Sequence, residues 1–468
     1  MKIQELSKYS EKKIAILWYG KEGKSSKDFL ERIWYKNINI LDKNTSWENY
    51  LDNLWEYDLI FKTPGISLYN ENVYPYRDKI ISNSEIFFNN YNGKVIWVTA
   101  TKGKSTTSTL IYETLKNAWY RVKLVGNIGN PALDEVDILN WETYDYIVYE
   151  LSSYMLETFK PKCFIAVFGN LFECHLAWHK DSFEIYKQAK LNILENSQNI
   201  LIWNDFKHLL NTPQKSPFLK GSTRNVVEGE GFNKAYSFWK KWYYNFEEKK
   251  FFIENKEILE IQNILLQWEH NKKNISSVVW ICDIISKTEN KQWVLEKLVD
   301  GLKETLENFK WLPHRLEDIG NYNGITFIDD AIATTQESTI AAVETFWDKI
   351  GTLFLWWESS KTNYSKLRDI LEKYDISNIV LFPDSWNDIF ESFSKKLELE
   401  KETHLEWYNN YKPKLYKTTS MKNAVKFAYE NTTPWKICIL SNASPSFSLW
   451  KSFIAKWELF QKEVKNYH

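Results

Sequence analysis

Residues 94–107, KVIWVTATKGKSTT, set a run of β-formers ahead of a short Thr/Lys/Gly turn and place Gly103-Lys104-Ser105 at the head of a helix reading to Asn117. A strand that fixes a turn, a glycine that lets main-chain N–H groups approach an anion, and a helix N-terminus behind it make a phosphate-binding loop. In such a loop Lys104 reaches the β- and γ-phosphates, the Ser105 hydroxyl holds Mg²⁺, and Lys102, Gly103 and Thr106 complete the cradle. One residue is out of place: Trp97 stands where the loop's first glycine is expected, and an indole cannot do a glycine's job.

The same strand, polar loop and helix alternation runs along the chain. Residues 12–90 hold the strand-and-turn KKIAILWYGKEGKSS, a strand ending at Asp42 and another entering Pro64-Gly65, a small Rossmann-like unit. Its glycine turn suits a nicotinamide dinucleotide and a UDP-linked substrate equally. In residues 92–310 the phosphate loop is followed by a Gly126-Asn127-Ile128-Gly129 turn, by Glu150 at the end of an apolar strand, by a strand leading to Glu173, His175 and His179, and by Lys190 on a helical pattern. Singly, Glu150 would serve as a helix N-terminal acid and His175 as an ordinary hydrogen-bonded residue. Together, at consecutive strand ends beside a Mg·nucleotide loop, they outline a second metal site. Residues 222–262 read as surface hairpins, and a helix led by His270, Asn271 and Asn274 comes next. Residues 311–468 form a second α/β unit, with a strand ending in Asp329-Asp330 and two more running into polar turns.

The predicted fold is therefore α/β in three domains. Residues 1–91 form a Rossmann-like N-terminal domain, 92–310 a central P-loop ATPase-like parallel-sheet domain, and 311–468 a C-terminal Rossmann-like domain. With 60 basic and 61 acidic residues, no net field draws the chain to nucleic acid or to a membrane surface. Four cysteines without CxxC spacing argue against a zinc site or a disulfide framework. The N-terminus lacks a signal-peptide core and no long apolar run follows. A cytoplasmic protein without membrane insertion is expected.

Glycine is abnormally scarce, 15 of 468 residues, or about 3% against a usual ~7%, while tryptophan reaches 23. The tryptophans also stand in the wrong places: Trp18 inside a glycine turn, Trp34 and Trp119 just past helices where glycine is the usual terminator, Trp356-Trp357 at a strand end, and Trp435 in a Thr-Pro-x-Lys turn that asks for positive φ. Many of these positions are expected to be glycine, encoded by UGA codons that some bacteria read as glycine. On this reading Trp97 should fit badly beside the nucleotide loop.

The ordered segments VTATKGKSTT, GNIGNP, ELSSYMLE, NLFECHLAWH, YKQAKL, HNKKN, LPHRLE, FIDDAIATTQEST and LSNASPSFSLWKSF resemble the Mur ligases, ATP-dependent amide-forming enzymes of peptidoglycan precursor synthesis, over nearly the full length. The LPHRLE and LSNASPSF forms favour the D-glutamate-adding member. The resemblance implies ATP and two Mg²⁺ ions, with UDP-N-acetylmuramoyl-L-alanine and D-glutamate as substrates of a monomeric ligase. It implies ATP and the first Mg²⁺ at Lys104 and Ser105, and the second Mg²⁺ at Glu150, His175 and a carbamylated Lys190. It further implies Asn271 beside adenine, Arg315 and Asp330 bringing the third domain onto the nucleotide, Asn127 on the muramoyl substrate, and Thr334, Ser441 and Phe447 near D-glutamate. Lys104, Lys190 and His175 would be catalytic, and three substrates would require an open and a closed form.

Against the family pattern, Ala100, Cys174 and Ile332 replace the more usual Gly, Asp and Lys, while Trp18, Trp97, Trp119, Trp268, Trp311, Trp356, Trp357, Trp435 and Trp457 fall on glycine positions. Trp178 and Trp450 fall where an aromatic is ordinary. Three alternatives remain: a sibling or folylpolyglutamate-type ligase, a catalytically inactive nucleotide-binding paralogue if the tryptophans are real, and a dehydrogenase.

Overall fold

The computed structural model describes residues 1–43, 50–174, 176–203, 234–237, 242–245, 248–254, 256–261, 269–309, 312, 314–333, 336–355, 365–382, 413–443 and 453–467. They form two compact units, Met1–Phe309 and Lys310–His468. Among the described residues no helix is long and apolar enough to cross a membrane.

The first unit opens with β1 (Ile14–Leu17), α1 (Lys21–Arg32), β2 (Ile38–Leu41), β3 (Leu59–Lys62), β4 (Ile80–Ile81) and α2 (Asn83–Asn90). Its strands pair in parallel in the order β2-β1-β3-β4. A second parallel sheet is built from β5 (Val95–Thr99), β6 (Val122–Gly126), β7 (Tyr146–Glu150), β8 (Lys162–Phe168), β9 (Asn196–Ile202) and β10 (Lys234–Ser237), in the order β10-β9-β8-β5-β7-β6. α3 (Lys104–Asn117) and α4 (Phe183–Leu191) lie within this stretch. All residues of β1, β5 and β7 are buried, as the unbroken apolar runs of a parallel sheet covered on both faces require. A small antiparallel sheet of β11 (Trp242–Asn245), β12 (Lys250–Ile253) and β13 (Lys256–Glu260) follows, then α5 (Glu269–Glu289) and α6 (Gln292–Asn308).

The two parallel sheets of this unit share one apolar core, in which Phe61 of β3, Phe29 of α1 and Phe87 of α2 meet Trp97, Tyr149 and Phe168 of the second sheet. Burying each such ring stabilises by about 2–3 kcal/mol. A buried polar cluster ties the same two sheets: Lys62 Nζ lies 3.5 Å from Glu157 Oε2, and His179 Nδ1 lies 3.2 Å from Glu157 Oε1. Nearby, Ser67 Oγ donates to the Trp178 carbonyl at 2.6 Å.

Trp97 departs from expectation. Its indole is fully buried in that core, with its ring centroid 3.7 Å from that of Phe88 and 5.8 Å from that of Tyr149, although Nε1 finds no hydrogen-bond partner among the described residues. Side chains alternate across a strand, and residue 97 faces the shared core rather than the nucleotide loop. Trp268, Trp311, Trp356, Trp357 and Trp450 lie outside the described residues.

The second unit contains β14 (Glu317–Tyr322), β15 (Ile325–Asp330), α7 (Gln336–Phe346), β16 (Ile350–Leu355), α8 (Ser365–Lys373), β17 (Asn378–Leu381), β18 (Lys414–Lys417), α9 (Met421–Asn431), β19 (Ile437–Ser441) and α10 (Phe453–Lys465). The sheet order is β14-β15-β19-β16-β17-β18, parallel except for the antiparallel β14–β15 pair. The register sets Asp330 directly beside Ser441.

Candidate active site

The loop between β5 and α3 is held from below. The Lys102 N–H donates to Asn170 Oδ1 at 2.7 Å, Asn170 Nδ2 donates back to the Lys102 carbonyl at 3.1 Å, and the Thr101 N–H donates to the Asn170 carbonyl at 2.8 Å. Thr101 Oγ1 also lies 2.8 Å from the Tyr186 hydroxyl. The helix begins at Lys104, with Gly103 as its N-cap at φ +78°. A Cβ at 103 would come within 2.8 Å of Asn274 Oδ1, so both backbone and space call for glycine. Asn274 Oδ1 accepts from Thr107 Oγ1 at 3.0 Å, and Asn274 Nδ2 donates to Asn271 Oδ1 at 3.1 Å. Asn271, expected beside adenine, is thus a buried residue tied to the loop through Asn274.

Two lysines meet at this loop. Lys104 Nζ donates to the carbonyls of Ala100 at 3.1 Å and Thr101 at 3.2 Å. Lys190, on α4 and 2% exposed, donates to the same Ala100 carbonyl at 2.8 Å and lies 3.2 Å from Thr99 Oγ1. Burial above all, and then the charge of Lys104, pushes the Lys190 amine well below the lysine range.

On the neighbouring strand, Glu150 closes β7 with no exposed surface. Its Oε1 accepts from Asn127 Nδ2 at 2.7 Å, while the equally buried Oε2 has no hydrogen-bond partner among the described residues. Asn127 is presented by Gly126, whose φ of +104° and closeness to the Glu150 carbonyl, 2.4 Å from a Cβ placed there, exclude any side chain. A buried carboxylate oxygen left over and a serine hydroxyl at a helix N-terminus are oxygen donors of the kind a hard divalent cation takes. His175 lies outside the described residues.

In the second unit, Asp330 Oδ2 accepts from Ser441 Oγ at 2.7 Å, and Ser441 Oγ lies 3.0 Å from Thr339 Oγ1. Burial pushes the Asp330 carboxyl up to about 7, against the opposing pull of the Ser441 hydroxyl and the Arg315 guanidinium. Arg315 sits between His314 and Leu316, both at positive φ, and His314 Nδ1 lies 2.8 Å from Asp329 Oδ2. Left-handed backbone at a leucine is costly and is held only where the surroundings enforce it. Lys456, on α10 and 1% exposed, donates to the Ala331 carbonyl at 3.3 Å. Thr334 and Phe447 lie outside the described residues.

The sequence reading missed Asn170 and Lys456. Asn170 carried a signal, a polar residue just after the apolar strand CFIAVFGN; Lys456 looked like any surface lysine of a helix.

A phosphate loop on a parallel sheet, with a buried carboxylate at an adjoining strand end and a buried lysine on a following helix, is the arrangement of a nucleotide-binding enzyme. The Mur ligase middle domain matches residues 98–282. The UDP-N-acetylmuramoylalanine–D-glutamate ligase of Buchnera aphidicola subsp. Schizaphis graminum is 31% identical over 439 residues, 92% of this chain and 89% of its own length. That of Clostridium tetani is 27% identical over 97% of both chains. Among solved structures, a MurF ligase from Thermotoga maritima in complex with ADP superposes with a TM-score of 0.54 at 17% identity, covering 97% of this chain and 95% of its own. A UDP-N-acetylmuramate-alanine ligase, MurC, from the same organism gives 0.53 at 15%, covering 96% and 99%. The chain belongs to the Mur ligase family, in the branch of the UDP-N-acetylmuramoylalanine–D-glutamate ligases.

Proposed function

We propose that the protein joins D-glutamate to UDP-N-acetylmuramoyl-L-alanine with hydrolysis of ATP, through an acyl phosphate on the L-alanyl carboxylate, in the cytoplasm and as a monomer. The observation that carries this reading is the convergence of Lys104, Lys190 and the unpartnered Glu150 oxygen at the ends of β5, β7 and α4. Residues 1–91 bind the UDP-linked substrate, 92–310 bind ATP, and 311–468 bind the amino acid.

The nucleotide phosphates lie on residues 102–106, with the Lys104 ammonium against the transferring phosphoryl group. Asn271 borders the adenine; Arg315 and Asp330 belong to the nucleotide's surroundings. Ser105 would hold one Mg²⁺, and Glu150, His175 and a carbamylated Lys190 a second. Bound there, the ions supply positive charge where two anions must approach. Asn127 orients the muramoyl substrate; Thr334, Ser441 and Phe447 hold D-glutamate so that its amine attacks the activated carbonyl. Positioning and charge stabilisation do most of the work.

A phosphate-release assay tests the reading. Release should require ATP, Mg²⁺, UDP-N-acetylmuramoyl-L-alanine and D-glutamate together. Turnover with another amino acid in place of D-glutamate, or with a folate substrate, would refute it.

A further inference from the structure

Six tryptophans, Trp18, Trp34, Trp119, Trp141, Trp347 and Trp435, have φ between +51° and +74°. Of the 23 tryptophans, 14 are among the described residues (18, 34, 55, 97, 119, 141, 178, 203, 242, 280, 293, 347, 435 and 457), so six of 14 are left-handed. Only a few per cent of non-glycine residues adopt that region, mostly Asn, Asp and His. Tryptophan has neither a short polar side chain to support it nor any other reason to favour it.

The local geometry is that of glycine sites. After α1 and its C-cap Ile33, the Trp34 N–H bonds the Glu31 carbonyl at 3.0 Å and the Tyr35 N–H bonds the Leu30 carbonyl at 3.0 Å. After α3 and Ala118 the pattern repeats, Trp119 to Lys116 at 2.9 Å and Tyr120 to Leu115 at 3.0 Å. Both are Schellman endings, whose left-handed residue is usually glycine. Trp435 follows Pro434 in a turn closed by the Lys436 N–H on the Thr433 carbonyl at 3.1 Å. Its φ of +74° makes it the third residue of a type II turn, another glycine position.

The indoles gain nothing in return. Trp34, Trp119 and Trp435 are 85%, 88% and 88% exposed. Trp18 sits at the end of β1 with its ring over Gly65, where a Cβ would come within 2.6 Å of it.

We propose that positions 18, 34, 119, 141, 347 and 435 are glycine in the protein its own cells make, encoded by UGA codons read as glycine. Trp97 and Trp457 have ordinary backbone, so the geometry does not extend the proposal to them.

Peptide mass spectrometry of the protein purified from its natural source gives the direct test: the residue mass at the six positions should be that of glycine. A tryptophan mass at 34, 119 or 435 overturns the proposal. Recombinant chains give a second readout. Trp34→Gly, Trp119→Gly and Trp435→Gly should each raise the melting temperature, by about 1–3 °C. Trp203→Gly should lower it, because that indole is 5% exposed and donates to Ser277 Oγ at 3.3 Å. A lower melting temperature for all three of the first set would overturn the proposal.

Discussion

Lys104 and Lys190 direct their amines at one acceptor, the Ala100 carbonyl, at 3.1 and 2.8 Å. Burial first, and then the nearby charge of Lys104, pushes the Lys190 amine well below the lysine range and so favours its neutral form. A neutral amine is the form that adds carbon dioxide, and the carbamate so formed exchanges a cation for an anionic oxygen ligand.

Lys190→Ala should therefore lower kcat by about a hundredfold. A small carboxylate such as acetate should restore part of it, because a free anion can stand in for the carbamate. Full activity in the variant, or no effect of acetate at any concentration, would refute the assignment.

Asn127 touches Glu150 directly, at 2.7 Å, although it was expected on the muramoyl substrate. Asn127→Ala separates the two roles. If it mainly orients the carboxylate, the Mg²⁺ concentration for half-maximal activity should rise about tenfold or more with little change in substrate KM. A rise in KM for the muramoyl substrate alone would assign it to substrate binding.

Asp330 should make stability pH-dependent. With its carboxyl pushed up to about 7 in the folded chain, it keeps a proton between about pH 4 and 7 that the unfolded chain has released, so its contribution to stability falls as pH rises through that window. Denaturant unfolding should show the parent losing on the order of 2 kcal/mol more than Asp330→Asn across it. Lys456 acts in a separate window: burial takes its amine down to about 7, so its contribution improves from about pH 7 toward 10, a rise that Lys456→Met should abolish. Equal slopes for parent and variants would refute both.

The Lys62–Glu157–His179 cluster is almost wholly buried. Removing one partner strands the others, so Lys62→Met should cost about 3–5 kcal/mol in unfolding free energy. An unchanged melting temperature would refute it.

Much of this architecture was legible in the chain. The runs at residues 14–17, 95–98 and 146–149 are apolar because both faces of their sheets are covered, and polar residues just after such runs mark the ligand-facing ends. Gly103, Lys104 and Glu150 followed from that rule, whereas the role of Lys190, on a helix, came only from the resemblance to the Mur ligases. Contacts between distant segments did not. Nothing near Lys62 announces Glu157, nothing near Asn170 announces Lys102, and the sequence cannot say which way Trp97 faces. The burial of Lys456 was hidden for the same reason, since a lysine in a helix of mixed apolar and charged residues carries no mark of its own and only the packing of α10 encloses it.

The clamp on Gly103 also has a place in time. Thr107 and its partner Asn274 are 167 residues apart, whereas β5 to β9, the loop and Lys190 all lie between residues 95 and 202. On a ribosome adding about 5–20 residues per second, roughly ten to thirty seconds separate the emergence of the loop from that of α5. The nascent central sheet can form before its phosphate loop is fastened, so firm nucleotide binding belongs to a late stage of synthesis.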